Sequence, residues 1–589
     1  MTLNIFNMPK LIWPHISSHF RWKLPLLLIL ILVVSFAEIL SLGALLPFLS
    51  VLVAPKDIDK FPLGGYLATF FGVSSANNLL AIFTIIFLCT IVLATLLRLF
   101  MLIFSVRLSF EIGVDITGKV YRKILHQSYA NYLKVNSSDI INTVSNKSHA
   151  IIHNAIMPLM TLISSGVLFC CILGAVYAVD PFVATMTAMG FIFSYLLVMF
   201  FTRTRLSREG SLVPKLSTRL IKLLQESLGG KRDILLDGSQ SVYCEIYRDA
   251  DIQLRSAQGT NMILGQFPRS IIESTALLLL AFLAYELARK PGGIAAALPM
   301  LGILAMSAQR MLPVMQQAYA AWSSIKNGQH AVQDILDILN EELSESSTQP
   351  KPSPMLLIST IEFNNLGFRY APDLPWIFHG IDLRVQKGER LGIMGASGIG
   401  KSTLLDVVMG LLEPTVGSVD IDNLPITESN RRSWQANLAH VPQSVFIADI
   451  SVEENIAFGV QKHLIDSERV KTCARKAQID GTIEGLPDQY QTSLGDRGFR
   501  LSGGQRQRIG IARALYKQAD VIIFDEATSA LDHETEGDVM KAIESLSKNL
   551  TIFIVAHRLS TLRMCSRVVE LQNGGVLREV EPHLVFLDK

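Results

Sequence analysis

Leu24 to Val53 is apolar except for Glu38 and a few small polar residues. It exceeds the roughly 20 residues a helix needs to cross a bilayer. Similar runs lie at about 79–106, 157–178, 181–202, 267–288 and 293–322, which makes six. Inside hydrocarbon every backbone N–H and C=O must be paired within the protein, so only helices and closed barrels can span. Runs this long, without period-two alternation, predict six transmembrane helices. Hydrophobic residues at 50%, a mean hydropathy of +0.36 and only 18% charged residues agree with a membrane protein that carries a soluble part. The net charge of +2 gives no reason to expect a nucleic acid partner. The first run is also far too long for a cleavable signal peptide.

Loop charge sets the expected orientation. The connections 107–156 and 203–266 carry Arg107, Lys119, Arg122, Lys123, Arg203, Arg205, Arg208, Lys222, Lys231 and Arg232. Loop 54–78 has only Lys56 and Lys60, offset by Asp57 and Asp59. The positive-inside rule puts both long loops, and therefore both termini, in the cytosol. Helical spacing of apolar residues within the long loops predicts that membrane helices continue past the bilayer. Residues 1–22 mix Trp13, Trp22 and Phe20 with Lys10 and Arg21, which suits an elbow lying on the interface. The six cysteines show no metal-ligand spacing and read as small buried hydrophobes. Glu38, Arg98, Arg269, Glu273 and Arg310 fall within or beside the spans, where lipid exposure is costly. Two readings stand: a cavity that attracts an anionic substrate through Arg98, Arg269 and Arg310, or interhelical ion pairs and snorkelling, with Glu38 or Glu273 holding an arginine.

Composition shifts to Ser, Glu and Pro over 337–356, a linker. This divides the chain into a membrane domain, 1–336, and a soluble domain, 357–589. The soluble part alternates short β-branched strands with helices, the signature of an α/β domain with a largely parallel sheet. Within it, Gly395-Ala-Ser-Gly-Ile-Gly-Lys-Ser-Thr403 follows a strand-like run and precedes a helix-like one. Gly395, Gly398 and Gly400 let the backbone turn tightly, so that its N–H groups, with those of Ser397 and Thr403, cradle phosphates. Lys401 adds a charge at the β/γ-phosphates and the Ser402 hydroxyl suits Mg²⁺. The chain is expected to bind and hydrolyse ATP with Mg²⁺.

The other parts of an ATP site follow in order. Tyr370 precedes the phosphate loop and can stack on adenine. Gln443, ending His440-Val-Pro-Gln443, can sense Mg²⁺ and the γ-phosphate. An apolar strand ends in Asp525 and Glu526: the first would hold Mg²⁺, the second polarise the attacking water. His557 ends another strand and can reach the γ-phosphate. Leu501-Ser-Gly-Gly-Gln505 opens a helical run, so Ser502, Gly503, Gly504 and Gln505 form a second phosphate-binding edge. One nucleotide already fills the first loop, so this edge is expected to close over ATP held by a second copy.

These motifs resemble those of ATP-binding cassette (ABC) transporters. The resemblance makes Tyr370 the A-loop, 395–403 Walker A, Gln443 the Q-loop and 501–505 the signature. It makes Asp525 with Glu526 Walker B, Ser529 to Asp532 the D-loop, His557 the switch histidine and Gly495-Asp-Arg-Gly498 the X-loop. It implies a homodimer with two composite ATP sites, Asp532 among their residues, and an exporter-type (type IV) half-transporter: a six-helix membrane bundle fused to an α/β P-loop domain. Coupling helices are then expected near 127–137 and 236–247.

The membrane half is similar to bacterial lipid-linked oligosaccharide flippases of the PglK type, on Phe267-Pro-Arg269-Ser-Ile-Ile-Glu273, Gln309-Arg310-Met-Leu-Pro313, Arg98 and the external loop Phe61 to Phe71. That resemblance implies a bacterial inner-membrane protein flipping a lipid-linked glycan, with membrane lipid as its other partner. Two alternatives stand beside it: an exporter of drugs, lipids or peptides, and an ATP-gated channel or regulatory subunit. The expected lack of a peptidase domain before the first span counts against a processing peptide exporter.

Overall fold

The computed structural model describes residues 7–53, 76–288, 293–342, 352–495, 498–526, 533–544, 546–556, 559–572, 575 and 577–580. The expected external helix at 61–71 lies outside them, as do Asp496, Arg497, Asp532 and His557. The chain divides into two compact units: residues 1–127 with 135–342, and residues 128–134 with 343–589.

The first unit is helical. Its long helices are α1 (Lys23–Val53), α2 (Ala76–His126), α3 (Met157–Val179), α4 (Pro181–Gly229), α5 (Gln240–Gln266), α6 (Pro268–Ala288) and α7 (Gly293–Asn340). Five described segments are long and apolar enough to cross a membrane, one of them running through α5 and α6. The sixth expected span lies in α7. Pro268 has no N–H to donate, which is why the helix breaks between α5 and α6 there, at the start of the fifth expected span. α2 and α4, of 51 and 49 residues, would each extend about 75 Å. That is more than twice a bilayer's hydrocarbon thickness, as the loop periodicity predicts.

The N-terminal elbow forms two short helices, Met8–Ile12 and Ser18–Arg21. Met8 and Ile12 are buried in a cluster with Leu108, Ile112, Val332 and Ile335. The Ser17 hydroxyl donates to Asp115, while Lys119 Nζ donates to Ser17 Oγ (2.8 Å) and to the His15 carbonyl (2.7 Å). Asp337–Asn340, assigned to the linker by composition, form the last turn of α7 instead, because Leu339 is buried in that same cluster. Two cysteines, Cys473 and Cys565, are buried as expected; Cys89, Cys170 and Cys244 are exposed on their helices.

The second unit contains two sheets. Strands β1 (Thr360–Phe368), β2 (Phe378–Gln386), β4 (Val416–Ile421) and β5 (Leu424–Pro425) form an antiparallel sheet in the order β2-β1-β4-β5, which the largely parallel expectation did not include. The larger sheet has the order β10-β9-β3-β8-β7-β6, built from β3 (Arg390–Met394), β6 (Leu438–Val441), β7 (Val521–Asp525), β8 (Thr551–Val555), β9 (Arg567–Leu571) and β10 (Leu577–Val580). All its pairings are parallel except β10 with β9. β8 is buried at every position and β7 at all but its last. Strands covered on both faces read as unbroken apolar runs, which is what made them visible in the sequence.

Candidate nucleotide site

The site forms at the carboxyl ends of β3, β7 and β6, where open α/β sheets bind ligands. β3 leads into the phosphate loop, whose backbone departs from ordinary geometry at Gly395 (φ 152°), Gly398 (φ 78°) and Gly400 (φ 106°). A Cβ at Gly395 would come within 2.6 Å of the Leu571 carbonyl oxygen, and one at Gly400 within 2.5 Å of Ile377. Only glycine fits, so the loop can wrap a phosphate closely. Gly400 caps helix α8 (Lys401–Val408) in the left-handed conformation. At the far end of α8, Trp434 Nε1 donates to the Val408 carbonyl (2.8 Å), and Gln435 to those of Met409 and Gly410. These bonds satisfy carbonyls that a helix end leaves without partners.

Lys401 is 5% exposed and its Nζ donates to the Gly395 and Ala396 carbonyls at 2.9 and 3.0 Å. Burial lowers its pKa, while Glu526 and Asp525 pull it the other way. Burial raises the Asp525 carboxyl, opposed by a hydrogen bond from Ser402 and by His440. Asp525 Oδ1 is buried without a hydrogen-bond partner among the described residues. An orphaned carboxylate oxygen beside a serine hydroxyl is the donor chemistry a hard divalent cation takes, so these residues fit Mg²⁺. Glu526, directly after β7, has φ 48° and accepts 2.9 Å from Gln443 Nε2. Tyr370 is 44% exposed, with its ring edge-on to Phe368 and its hydroxyl 3.2 Å from Thr403 Oγ1. That leaves its ring accessible to a base.

Three contributions were not read from the sequence. Gln507 Nε2 donates to the backbone carbonyls of Pro442 (3.2 Å) and Gln443 (2.8 Å), fixing the loop that carries Gln443. His440 on β6 is exposed at its surface, and partial desolvation lowers its pKa against the pull of the Asp525 charge. Asp406 on α8 is pushed up to about 6, first by burial and then by the charge of Asp525. The folded pKa of Asp406 is thus above its ordinary value of 3.8. Its contribution to stability is full below that value and lost as pH rises through about 6. Asp406→Asn is therefore expected to melt above wild type by about 2 °C more at pH 8 than at pH 5. Melting curves of the full chain at both pH values check this; a difference that does not change with pH would contradict it.

The signature segment starts helix α9 (Gly503–Lys517). Ser502 Oγ accepts from Gln505 N at 3.2 Å and Gln505 Oε1 accepts from Ser502 N at 2.9 Å, a complete capping box. No described hydrogen bond joins Ser502, Gly503, Gly504 or Gln505 to the phosphate loop. The chain thus brings together Tyr370, the phosphate loop, Gln443, Asp525 and Glu526, and leaves the signature apart. Of the segments expected to be coupling helices, Tyr129–Tyr132 belongs to this unit, with Tyr129 and Ala130 packed on the core that contains Leu404, Leu405 and Val408. The other begins α5 after a turn at Gly238, where Leu236 and Val242 are exposed.

In the membrane unit the three arginines separate. Arg98 and Arg310 both pair with Glu38, which is 3% exposed; their side chains are 50% and 15% exposed. Arg269 and Glu273 are exposed, and no described residue pairs with Arg269. Glu38 holds two arginines where the sequence suggested one.

Residues 378–529 match the ABC transporter family model, and residues 23–289 match the ABC transporter transmembrane region. Curated relatives include the ATP-dependent lipid A-core flippases of Paraburkholderia xenovorans (28% identical over 79% of this chain), Chromohalobacter salexigens (32% over 65%) and Cupriavidus metallidurans (32% over 64%). The alignments cover 78%, 65% and 62% of those relatives, respectively. A bacterial Atm1-family ABC exporter solved with ATP bound shares the fold, with a TM-score of 0.79 over 97% of both chains at 22% identity. The chain belongs to the ABC transporters, a multi-pass exporter-type member whose transmembrane and ATP-binding regions are fused and whose ATP hydrolysis is coupled to transport.

Proposed function

We propose that two copies of this chain form an ATP-driven flippase that moves an anionic amphiphile from the inner to the outer leaflet of a bacterial inner membrane. Both termini are cytosolic, with residues 1–340 as the membrane domain, 341–356 as the linker and 357–589 as the ATP-binding domain. The cargo reading rests on Glu38: one carboxylate against two guanidiniums leaves a net positive charge among apolar helices, at Arg98 and Arg310. Exposed Arg269 offers a further cationic contact. The relatives named for lipid A-core flipping support a lipid cargo. A lipid-linked oligosaccharide is its finer form.

In the ATP site, the phosphate loop and Lys401 hold the phosphates, Tyr370 stacks on the base, and Ser402, Asp525 and Gln443 hold Mg²⁺. Glu526 polarises the attacking water, and His557 contacts the γ-phosphate. Ser502, Gly503, Gly504, Gln505 and Asp532 of one copy close over the nucleotide of the other, a role that fits the signature's separation from its own phosphate loop. ATP then joins the two copies and its hydrolysis releases them. The test is ATP-dependent movement of a labelled anionic glycolipid across a reconstituted membrane. A neutral drug moved in its place would favour a multidrug exporter.

A further inference from the structure

The membrane unit holds a cavity of about 420 Å³ between α4, α5 and α7. That lies within the roughly 300–1,000 Å³ of small-molecule sites. Its polar wall includes Gln258 and Asn261 from α5 and Ser323 and Asn327 from α7; Val213 and Met262 are among its apolar lining. No charged side chain is among its described lining residues.

Asn261 is 7% exposed, yet neither Nδ2 nor Oδ1 has a hydrogen-bond partner among the described residues. The Asn327 Oδ1 atom is in the same state. A buried amide is normally satisfied by protein or by ordered water. Its surroundings here are otherwise well bonded: Tyr319 donates to Thr202 and to the Leu264 carbonyl, and Gln258 accepts from Arg255. The unsatisfied amide therefore points to a partner that the described chain does not supply.

The lining defines its chemistry. A carboxamide presents a donor and an acceptor side by side, and a hydroxyl both donates and accepts. A sugar offers adjacent hydroxyls and an apolar ring face, which suits amides and serine set among Val213 and Met262. A phosphate or carboxylate would find no cation in the described lining, and Arg255, which donates to Gln258, is itself paired with Asp251. Depth agrees as well: Asn261 precedes Pro268, where the apolar span begins, by about two helical turns on the side of the cationic loops. A headgroup in the inner leaflet reaches that level.

We propose that this cavity binds the uncharged, hydroxyl-bearing part of a glycolipid headgroup and gives the transporter its preference for glycosylated over bare lipid. This rests on the reading of the cargo as an anionic amphiphile, whose charged part falls to the arginines. The test uses the full-length protein in phosphatidylcholine nanodiscs, with ATPase stimulation as the readout. Its two probes are a polyprenyl pyrophosphate bearing an oligosaccharide and the same lipid without sugar. Wild type is expected to respond to both, reaching half-stimulation at a concentration at least ten-fold lower with the glycosylated probe. Asn261→Leu should abolish that ten-fold preference, retain the response to the bare lipid, and melt at a higher temperature because an unpaired buried amide has gone. A purely structural asparagine would instead melt lower and keep the preference. If the leucine variant fails to fold, Asn261→Ala is judged by the same preference. Loss of the preference in the variant supports the proposal. A wild type with equal response to both probes, as for a cavity filled by water alone, overturns it, as does a variant that keeps the preference. A wild type silent to both lipids overturns the cargo reading and this inference together.

Discussion

Glu526→Gln is expected to lower ATP turnover by at least about a hundred-fold, the scale contributed by a positioned general base. The substitution keeps the size of the side chain and an oxygen to accept from Gln443 Nε2, now 2.9 Å from Glu526. It removes the negative charge that would polarise water. ATP binding depends on the phosphate loop, which is untouched, so the variant should accumulate nucleotide-bound dimers. Phosphate release together with size-exclusion chromatography in ATP checks both effects. Turnover within three-fold of wild type, with no shift toward dimer, would contradict the role proposed for Glu526.

The largest stability effect is expected at Glu38. Its carboxylate is the shared partner of Arg98 and Arg310. Removing one partner from a buried ion pair typically costs about 3–5 kcal/mol, because the remaining charge is left uncompensated. Glu38→Gln leaves the largely buried Arg310 and the half-exposed Arg98 without their shared partner, so it should sharply lower the melting temperature and the folded yield in detergent. Arg310→Met should cost less, since Glu38 keeps Arg98. Combining Glu38→Gln with Arg310→Met should recover part of the loss, because only the half-exposed Arg98 then remains unpaired. Melting curves of the two single variants and the double variant measure this coupling. A Glu38→Gln protein as stable as wild type, or a double variant that behaves additively, would contradict it.

The sequence was most legible where the physical constraint is local. The phosphate loop fits within nine contiguous residues because its glycines and Lys401 act through backbone geometry. β7 and β8 were visible because burial on both faces demands unbroken apolar residues. The six spans were visible for the same reason, with lipid taking the place of protein. Pairing over long separations was not legible. Glu38, Arg98 and Arg310 stood out against an apolar background, but nothing along the chain said that one carboxylate would take both arginines. The antiparallel sheet was missed because its register is set by partners distant in sequence, such as Phe363 with Val419. The linker was placed four residues early because Ser and Glu dominate its composition, while burial of Leu339 keeps the helix intact. Gln507 gave one usable signal: a polar residue on the buried face of an amphipathic helix, which implies a partner to be satisfied. Asn261 gave the same signal, obscured by its polar surroundings in α5.

ATP-driven flipping is measured by reconstituting the protein in sealed vesicles with a labelled anionic glycolipid, such as a polyprenyl-pyrophosphate oligosaccharide, in both leaflets. Label that becomes inaccessible to, or exposed to, an external membrane-impermeant reagent on adding ATP is then followed over time, with Glu526→Gln as the blank. ATP-dependent redistribution well above that blank is expected, with little movement of a neutral phospholipid under the same conditions. Normal ATP turnover in the same vesicles with no redistribution of the glycolipid would contradict it.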